Sequence, residues 1–256
     1  MAKLTVLENE EALARAAAAR LTALIERAIE ARASAIVSLT GGSTPRRLYA
    51  LLADHGEPWR ERIDWTRVHL CWGDERHVPP DHPDSNFGMA HEALVRHVPI
   101  PPAQVHRMRG ELSDAEDAAR QYAGTLREAV AAAGRRDQTV DLMLLGLGED
   151  AHIASIFPGS DLLRDDRDDE RRVAAVWAPH LDAWRITLTP TALLDARAIV
   201  MVVAGEKKAA AVAAALREPV DIARHPAQLL REAGDRVEWF VDRAAAAALH
   251  RIDRRT

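Results

Sequence analysis

Short apolar runs alternate along the chain with longer stretches that mix alanine with charged residues. Apolar runs of about four to eight residues are typical of strands covered on both faces. We predict strands over residues 35–39, 68–72, 142–145, 173–177, 185–188, 199–203 and 237–241. Alanine-rich stretches favour helices, and we predict them over 10–32, 44–53, 85–95, 113–133 and 206–217, with a further helical segment after residue 145. This alternation predicts an α/β fold: a mainly parallel sheet with helices on both faces.

Two of the predicted helices carry a local start signal. Pro45 is expected at the first position of the helix over 44–53, where its missing N–H costs nothing. Ser113 and Glu116 match the capping-box pattern at the start of the helix over 113–133.

Composition narrows the class of protein. With 256 residues and 48% hydrophobic content, the chain can form a sizeable core, and we expect one domain over residues 1–256. A net charge of -5 argues against general nucleic-acid binding. The one cysteine, Cys71, lies in an apolar run and is expected to be a buried thiol, which suits a cytoplasmic protein. No apolar stretch reaches the roughly 18 residues of a membrane span, so no membrane partner is expected.

The most informative segment is a glycine turn that follows the strand over 142–145. Gly146 and Gly148 permit a tight turn, and Asp150 and His152 come directly after them. Ligands of open α/β sheets bind just outside the carboxyl ends of strands, and a histidine can exchange a proton near neutral pH. A helix-start histidine bonded to local backbone is the alternative. The turn also matches the dinucleotide pattern G-x-G-x-x-A, but Pro158 interrupts the required helix, and we discount NAD binding.

A second turn, over residues 40–47, joins a strand to a helix. Its glycines allow close approach, Ser43 and Thr44 supply hydroxyls, and the helix start offers unpaired N–H groups suited to a phosphate. An ordinary N-cap turn has a similar composition. The ending Gly-Lys-Ser/Thr of a Walker loop is absent from this turn.

Two further strand ends carry charged residues. Asp74 and Arg76 follow the strand over 68–72, and a surface ion pair is the alternative to a site there. Lys208 follows the strand over 199–203 and can reach the strand ends as a point charge for phosphate, whereas Lys207 fits a solvated helix position. Four histidines show no convincing metal-ligand spacing, and we interpret them as surface or cap residues: His77, His82, His91 and His97. We predict no metal site.

Together these segments resemble the 6-phosphogluconolactonase family, which is similar to the glucosamine-6-phosphate deaminases. The resemblance covers nearly the whole chain. It implies a modified Rossmann-like fold and hydrolysis of 6-phospho-D-glucono-1,5-lactone in the pentose phosphate pathway, with no cofactor and a small-molecule sugar-phosphate lactone as partner. A monomer and a small homo-oligomer both remain open. The motifs that carry the resemblance are 40–45 (TGGSTP), 72–76 (WGDER), 84–86 (DSN), 146–152 (GLGEDAH), 157–158 (FP), 185–189 (RITLT), 205–208 (GEKK) and 226–230 (PAQLL).

The resemblance suggests a role for each candidate residue. His152 would be the general base that activates water, and Asp150 would orient or stabilise its ring. The remaining candidates would bind the substrate. The phosphate would contact Gly42, Ser43, Thr44, Lys208 and Arg185. Asp74 and Asn86 would contact the sugar hydroxyls, and Arg76 would stabilise the oxyanion that forms at the lactone carbonyl.

One residue departs from the family pattern, which usually has Asp-Gly-His where this chain has Asp150-Ala151-His152. If that glycine adopts a positive φ, alanine costs about 1 kcal/mol or more there.

Two other functions compete with the lactonase. Deaminases resemble the chain in the glycine turn, but they carry a glutamate five residues after the histidine, where this chain has Phe157, and tend to have tyrosine in place of Arg76. A non-catalytic sugar-phosphate sensor would usually carry a helix-turn-helix before the sugar domain, and only one helix is predicted before the strand over 35–39. Phe157 and Arg76 favour the lactonase over the deaminases, and the lack of a predicted helix-turn-helix favours it over the sensor.

Overall fold

The computed structural model describes residues 2–135, 139–164 and 170–249. Its strands form one six-stranded sheet in the order β1-β9-β8-β5-β2-β3, in which all pairs are parallel, and one three-stranded antiparallel sheet in the order β4-β7-β6. The strands are β1 Lys3–Leu7, β2 Ala35–Leu39, β3 Val68–Trp72, β4 Asp74–Arg76, β5 Leu142–Leu145, β6 Val173–Ala178, β7 Ala183–Leu188, β8 Ala198–Val203 and β9 Val237–Asp242. The predicted α/β fold with a mainly parallel sheet is confirmed.

Helices pack around these sheets and leave three strands of the large sheet, β2, β3 and β5, without exposed residues. Every residue of β2, β3 and β5 is buried, which requires cover on both faces of the large sheet. The α-helices are α1 Glu10–Arg32, α2 Ser43–Ala53, α3 Trp59–Arg62, α4 Asn86–Ala93, α5 Ala115–Ala132, α6 Pro190–Leu194 and α7 Ala209–Arg217. Short 3₁₀ segments add Trp65–Arg67, Val95–His97, Pro102–Gln104, Asp161–Leu163, Pro179–Leu181, Glu206–Lys208 and Pro226–Arg236.

The strand order reverses direction between two neighbouring strands. From β2 the chain proceeds to β3 on one side, whereas β5 pairs with β2 on the other side and leads on to β8 and β9. The loops that leave β2 and β5 therefore diverge at a switch point, where open α/β sheets form their ligand crevice. These loops contain Gly42 and His152.

Gly73 joins the large sheet to the small one. Its N–H donates to the carbonyl of Leu39 at 2.9 Å, and its carbonyl accepts from the N–H of Leu188 at 2.8 Å. Strand β4 therefore leaves the end of β3 and pairs at once with β7, which brings Asp74 and Arg76 to the edge of the switch point.

Cys71 is buried as expected. Burial raises the pKa of its thiol to about 12, and its Sγ donates to the carbonyl of Val37 at 3.5 Å. A thiol in this state is a core residue and not a nucleophile.

Several local predictions were wrong. The chain after β5 forms turns and not a helix, because Ala151 and Ala154 both take positive φ. Helix α2 begins at Ser43, so Pro45 is its third residue. Asp114, not Ser113, caps α5 by accepting from two backbone N–H groups.

Other elements were shifted or missed. Strands β1 and β4 and helices α3 and α6 were not predicted, and the predicted helix over 206–217 is a 3₁₀ turn followed by α7. The dense run of charged residues over 165–172 predicts a solvated loop, and residues 165–169 of it lie outside the described residues. Among the described helices, none has the length and apolarity to cross a bilayer.

Candidate active site

Four loops at the carboxyl ends of adjacent parallel strands enclose a cleft of about 260 Å³. They follow β2, β3, β5 and β8, which are neighbours in the large sheet. Seven of the predicted site residues line the cleft with His152: Gly42, Ser43, Thr44, Asp74, Arg76, Asn86 and Lys208. The sequence had separated these groups by up to 166 positions, from Gly42 to Lys208.

The loop after β2, residues 40–44, is called the phosphate loop below. No described side chain caps the start of α2, so its first N–H groups remain available to a ligand. The buried Tyr49 hydroxyl holds the loop's entry, because it accepts from the N–H of Thr40 at 2.9 Å and donates to its carbonyl at 2.8 Å. The Thr44 hydroxyl donates to Glu10 of α1 at 3.3 Å. The loop is therefore rigidly held before any anion binds.

Lys208 reaches the cleft from the 3₁₀ turn after β8. The turn is anchored at Gly205, whose N–H donates to the buried Asp242 carboxylate at 3.1 Å. Lys208 is half-buried, whereas Lys207 is exposed. Together with the N–H groups of α2, the Lys208 ammonium gives this end of the cleft a positive potential.

Asp74 and Asn86 form a buried pair on the cleft wall. The Asn86 amide Nδ2 donates to the Asp74 carbonyl at 2.9 Å and to its carboxylate at 3.3 Å. The Asp74 carboxylate also accepts from the Ser155 hydroxyl at 2.7 Å. Arg76 donates to the backbone carbonyl of Asp84.

Arg185 lies beside the cleft and is not among the residues that line it. It faces Arg76 directly across the β4–β7 ladder. Burial lowers the pKa of Arg185, and the neighbouring Arg76 charge lowers it further. Two like charges at directly opposed positions destabilise a sheet unless an anion offsets them, so this pair adds to the positive potential of the cleft.

The Glu75 carboxylate lies behind the cleft wall and joins β4 to α4. It accepts from the backbone N–H groups of Asn86 and Phe87 at 2.7 Å each and from the Ser85 hydroxyl at 3.0 Å. Burial raises the pKa of Glu75 although these hydrogen bonds act to lower it. An acidic group at a helix N-terminus stabilises that helix, so Glu75 fixes where Asn86 enters the cleft.

The carboxylate and imidazole predicted by the glycine turn are in contact, although only His152 of the pair is among the residues that line the cleft. Asp150 Oδ1 lies 2.6 Å from His152 Nδ1 and accepts the backbone N–H of His152 at 3.1 Å. Burial acts to raise the pKa of Asp150, but the hydrogen bond and charge of His152 outweigh it and the pKa is about 2. An ionised carboxylate can only accept, so Nδ1 must be the protonated nitrogen and Nε2 carries the lone pair.

Two small residues make room for this pair. A Cβ on Gly148 would lie 2.0 Å from Nδ1 of His152 and 2.5 Å from Oδ1 of Asp150, so only glycine fits. Ala151 between the pair is buried at φ +64°, the left-handed region that favours glycine. The alanine that departs from the family pattern therefore does occupy a strained conformation.

Phe157 packs against the outer side of the His152 ring, with ring centroids 4.7 Å apart. His180, in the turn between β6 and β7, packs edge-on against Phe157 at 4.8 Å. The side of the imidazole that faces Phe157 is thus apolar and offers no group that could exchange a proton.

Three of the four histidines expected at surface or cap positions bond locally, His82 to Asp84, His91 to Glu92 and His97 to Glu92, whereas His77 contacts the carbonyl of Leu112, 35 residues further along the chain. Within residues 2–135, 139–164 and 170–249, no group of three or more histidine, cysteine, aspartate or glutamate side chains could hold a metal ion.

Three supporting residues were missed by sequence reasoning. Ser155 contacts Asp74, Asp242 anchors the Lys208 turn, and Glu75 anchors α4. A polar residue within the otherwise apolar segment 153–157 was the available signal for Ser155. Their partners lie far away in sequence, which pattern reasoning cannot detect.

Comparison with known proteins identifies the family of this chain. Residues 8–239 match the model of the family described as glucosamine-6-phosphate isomerases/6-phosphogluconolactonase. The chain belongs to this family. The family includes both enzymes that the sequence resembles, so its model alone does not choose between them.

Two similar members of the family are 6-phosphogluconolactonases from bacteria. The protein from Streptomyces coelicolor is 41% identical over 257 residues, covering 97% of this chain and 95% of its own. The protein from Mycobacterium leprae is 37% identical and covers 97% and 98%. A solved structure of 6-phosphogluconolactonase from Trypanosoma brucei superposes with a TM-score of 0.81 at 28% identity, covering 97% of this chain and 99% of that one.

Proposed function

We propose that this chain is a 6-phosphogluconolactonase that hydrolyses 6-phospho-D-glucono-1,5-lactone to 6-phosphogluconate, with His152 as the general base. The observation that carries the proposal is that His152 and the phosphate loop line the same cleft. One end of the cleft suits a dianion and the other end holds an oriented imidazole. The full-length similarity to proteins named 6-phosphogluconolactonase supports the same substrate.

The contact with Asp150 favours the tautomer of the neutral His152 ring that a base requires. Its Nδ1 hydrogen is held by Asp150, which leaves the Nε2 lone pair to accept a proton from water. The resulting hydroxyl attacks the lactone carbonyl carbon, and a tetrahedral oxyanion forms. General-base assistance of this kind contributes about 10²–10⁴-fold, and the Asp150 charge stabilises the imidazolium.

Collapse of the intermediate completes the reaction. The bond between the carbonyl carbon and the ring oxygen breaks, and the imidazolium returns its proton to that oxygen as it becomes a hydroxyl. The carboxylic acid product releases a proton to solvent. Arg76, on the cleft wall, and the amides of the glycine turn are the donors that would stabilise the oxyanion.

The phosphate end of the substrate aligns the reaction. Gly42, Ser43 and Thr44 would contact the phosphate through their N–H groups and the Ser43 hydroxyl, and Lys208 would add a charge-assisted hydrogen bond. Arg185 would add longer-range attraction. Binding of this unreactive end holds the lactone carbon near Nε2, so binding energy contributes to orientation. Asp74 and Asn86 would face the sugar hydroxyls between the two ends.

Phe157 disfavours the deaminase reaction. In the deaminases the resemblance implies a glutamate at this position, which supports opening of the sugar ring. Here the position holds an apolar ring 4.7 Å from the imidazole, measured between ring centroids. Phenylalanine cannot relay a proton, and lactone hydrolysis does not need this relay.

The deciding experiment follows acid release from freshly prepared lactone. The His152→Ala variant should lose at least tenfold in kcat while it unfolds cooperatively like the wild type, and His55→Ala, a change at an exposed histidine, should retain its kcat. Unchanged turnover in His152→Ala would rule out the proposed base. Binding without turnover in the wild type would indicate a sensor, and ammonia release from an amino-sugar phosphate would indicate a deaminase.

A further inference from the structure

A chain of buried hydrogen bonds in the cleft wall joins Asn86, which packs on the phosphate loop, to Ser155, which lies three residues after His152. Its members are Asn86, Asp74 and Ser155, which are all at least nine-tenths buried, and it is called the Asp74 network below. The two polar ends of the cleft are thus joined inside the protein as well as by any substrate that binds across them.

One end of the Asp74 network packs on the phosphate loop. A Cβ on Gly41 would lie 1.8 Å from the Asn86 side-chain oxygen, so the amide rests directly against the loop backbone. The same amide donates to Asp74 through its nitrogen at 3.3 Å. Movement of the phosphate loop would therefore displace Asn86 and, through it, the Asp74 carboxylate.

The other end of the network is Ser155. Its hydroxyl donates to Asp74 at 2.7 Å, and its backbone N–H donates to the Thr187 hydroxyl at 3.2 Å. Only two residues separate Ser155 from His152, and one of them, Ala154, has a positive φ. Because this connection is short and its backbone is constrained, the position of the His152 imidazole depends on the position of Ser155.

We infer that Ser155 is a positioning residue that, through Asp74 and Asn86, sets the distance between the His152 imidazole and the phosphate loop. The inference rests on the proposed function. A lactone bound through its phosphate reacts only if the distance from the phosphate loop to the imidazole matches the distance from its phosphate to its carbonyl carbon. Misplacement by about 1 Å can cost about 10²-fold in rate. A lactone without a phosphate is not gripped at that end and does not depend on the match.

The test compares two substrates in the Ser155→Ala variant. We expect kcat/KM for 6-phosphogluconolactone to fall about tenfold or more, and that for unphosphorylated glucono-1,5-lactone to fall less than about threefold. Ser160→Ala, which removes a hydroxyl that bonds the N–H of Leu162 on the same loop, should leave both values unchanged. Equal loss on both substrates, or no loss on either, would overturn the inference, since a purely structural role cannot change the ratio.

A double-mutant cycle tests the route through Asp74. If Ser155 acts through that carboxylate, Ser155→Ala should cost no more than about threefold when added to Asp74→Asn. A repeat of the full loss would contradict the route. Should Ser155→Ala not fold, Ser155→Cys keeps nearly the same volume with a weaker donor, and the same substrate ratio is measured.

The outcome is separable from that of the proposed function. An active His152→Ala variant contradicts the base whatever Ser155→Ala does. An inactive His152→Ala beside an unchanged substrate ratio in Ser155→Ala contradicts only the positioning role.

Discussion

The Asp150 carboxylate contacts His152 twice, through the ring Nδ1 at 2.6 Å and through the backbone N–H at 3.1 Å. The second bond fixes the carboxylate to the same residue whose ring it orients. Ala151 stands between the two residues, and its positive φ turns the backbone so that both groups face each other. The pair therefore depends on the backbone conformation at Ala151 as much as on its own chemistry.

Replacing Asp150 with asparagine should preserve the geometry and remove the charge. We expect kcat/KM to fall about tenfold or more. Kinetics measured between pH 5 and 8 check this. Glu149→Gln, at the exposed neighbouring carboxylate, is the control, and an unchanged kcat/KM in Asp150→Asn would contradict the role.

Asp150 itself should not titrate in that range. Its pKa of about 2 lies below the ordinary value, so its contribution to stability is present above about pH 4 and is lost only as the pH falls towards 2. A pH dependence of activity between 5 and 8 must therefore arise from another group.

Replacing Gly148 with alanine should displace the imidazole. The added Cβ would fall 2.0 Å from Nδ1, and the ring must rotate away to relieve the clash. We expect kcat to drop at least tenfold with little change in the midpoint of thermal unfolding. Gly146→Ala adds a methyl that meets no described atom within 4 Å and should lose far less. Similar losses in the two variants would show that the contact with His152 is not the cause.

Substitutions at Ala151 change the unfolding free energy through several small terms that oppose one another. Substituting glycine relieves about 1–2 kcal/mol of left-handed strain. It also adds about 0.5–1 kcal/mol of chain entropy to the unfolded state and removes a buried methyl worth about 0.8 kcal/mol. The unfolding free energy of Ala151→Gly should therefore stay within about 1 kcal/mol of wild type. Ala151→Val, branched and buried at φ +64°, should lose about 2 kcal/mol or more.

Denaturant unfolding with kcat measured in parallel distinguishes the two substitutions at Ala151. A glycine variant stabilised by more than about 2 kcal/mol would mean that strain dominates the balance. A valine variant as stable as wild type would mean that the turn can change its conformation.

The buried strands could be predicted because their signal is local. Strands β2, β3 and β5 are apolar except for Ser38 and His69, and a glycine follows each of them within two residues. Strand β4 has no such signal, since Asp74, Glu75 and Arg76 are charged and form a strand only by pairing with β7. The turns after β5 escaped prediction because alanine is a helix former, and Ala151 and Ala154 take positive φ only in this tertiary context.

The site divides in the same way. Residues placed directly after a strand end, such as Lys208 and His152, were found because parallel strands bring their carboxyl ends to one edge. The Ser155–Asp74 bond joins positions 81 residues apart, and the sequence around either residue does not indicate its partner. Long-range hydrogen bonds of this kind require the coordinates.

Lys208→Ala should weaken phosphate recognition and leave the chemistry intact. A charge-assisted hydrogen bond is worth about 1.5–3 kcal/mol, so KM for 6-phosphogluconolactone should rise about 10- to 100-fold. Turnover of unphosphorylated glucono-1,5-lactone should be unaffected, because that substrate presents no anion to the ammonium. Lys207→Ala, which removes the exposed neighbouring lysine, is the matched control. If the unphosphorylated lactone loses as much as the phosphorylated one, Lys208 does not act on the phosphate.

The His69–His106 pair predicts a loss of stability in mild acid. The two rings stack 5.4 Å apart at the amino end of β3, with Nδ1 of His69 3.1 Å from Nε2 of His106. Burial and then the charge of His69 lower the pKa of His106 to about 4, while burial and Arg135 lower the pKa of His69.

The unfolded chain protonates its histidines near pH ~6.5, but the folded chain keeps His106 neutral until about pH 4. The stabilisation is therefore present above pH ~6.5 and is lost as the pH falls from there to about 4. His106→Phe keeps the stacking and cannot be protonated, so its unfolding free energy should fall less between pH 7 and 4.5 than that of wild type, by about 1 kcal/mol or more. Denaturant unfolding at both pH values checks the difference, with His97→Phe, at an exposed histidine, expected to keep the wild-type slope. Equal slopes in wild type and His106→Phe would mean that the stacked pair accepts a proton without cost.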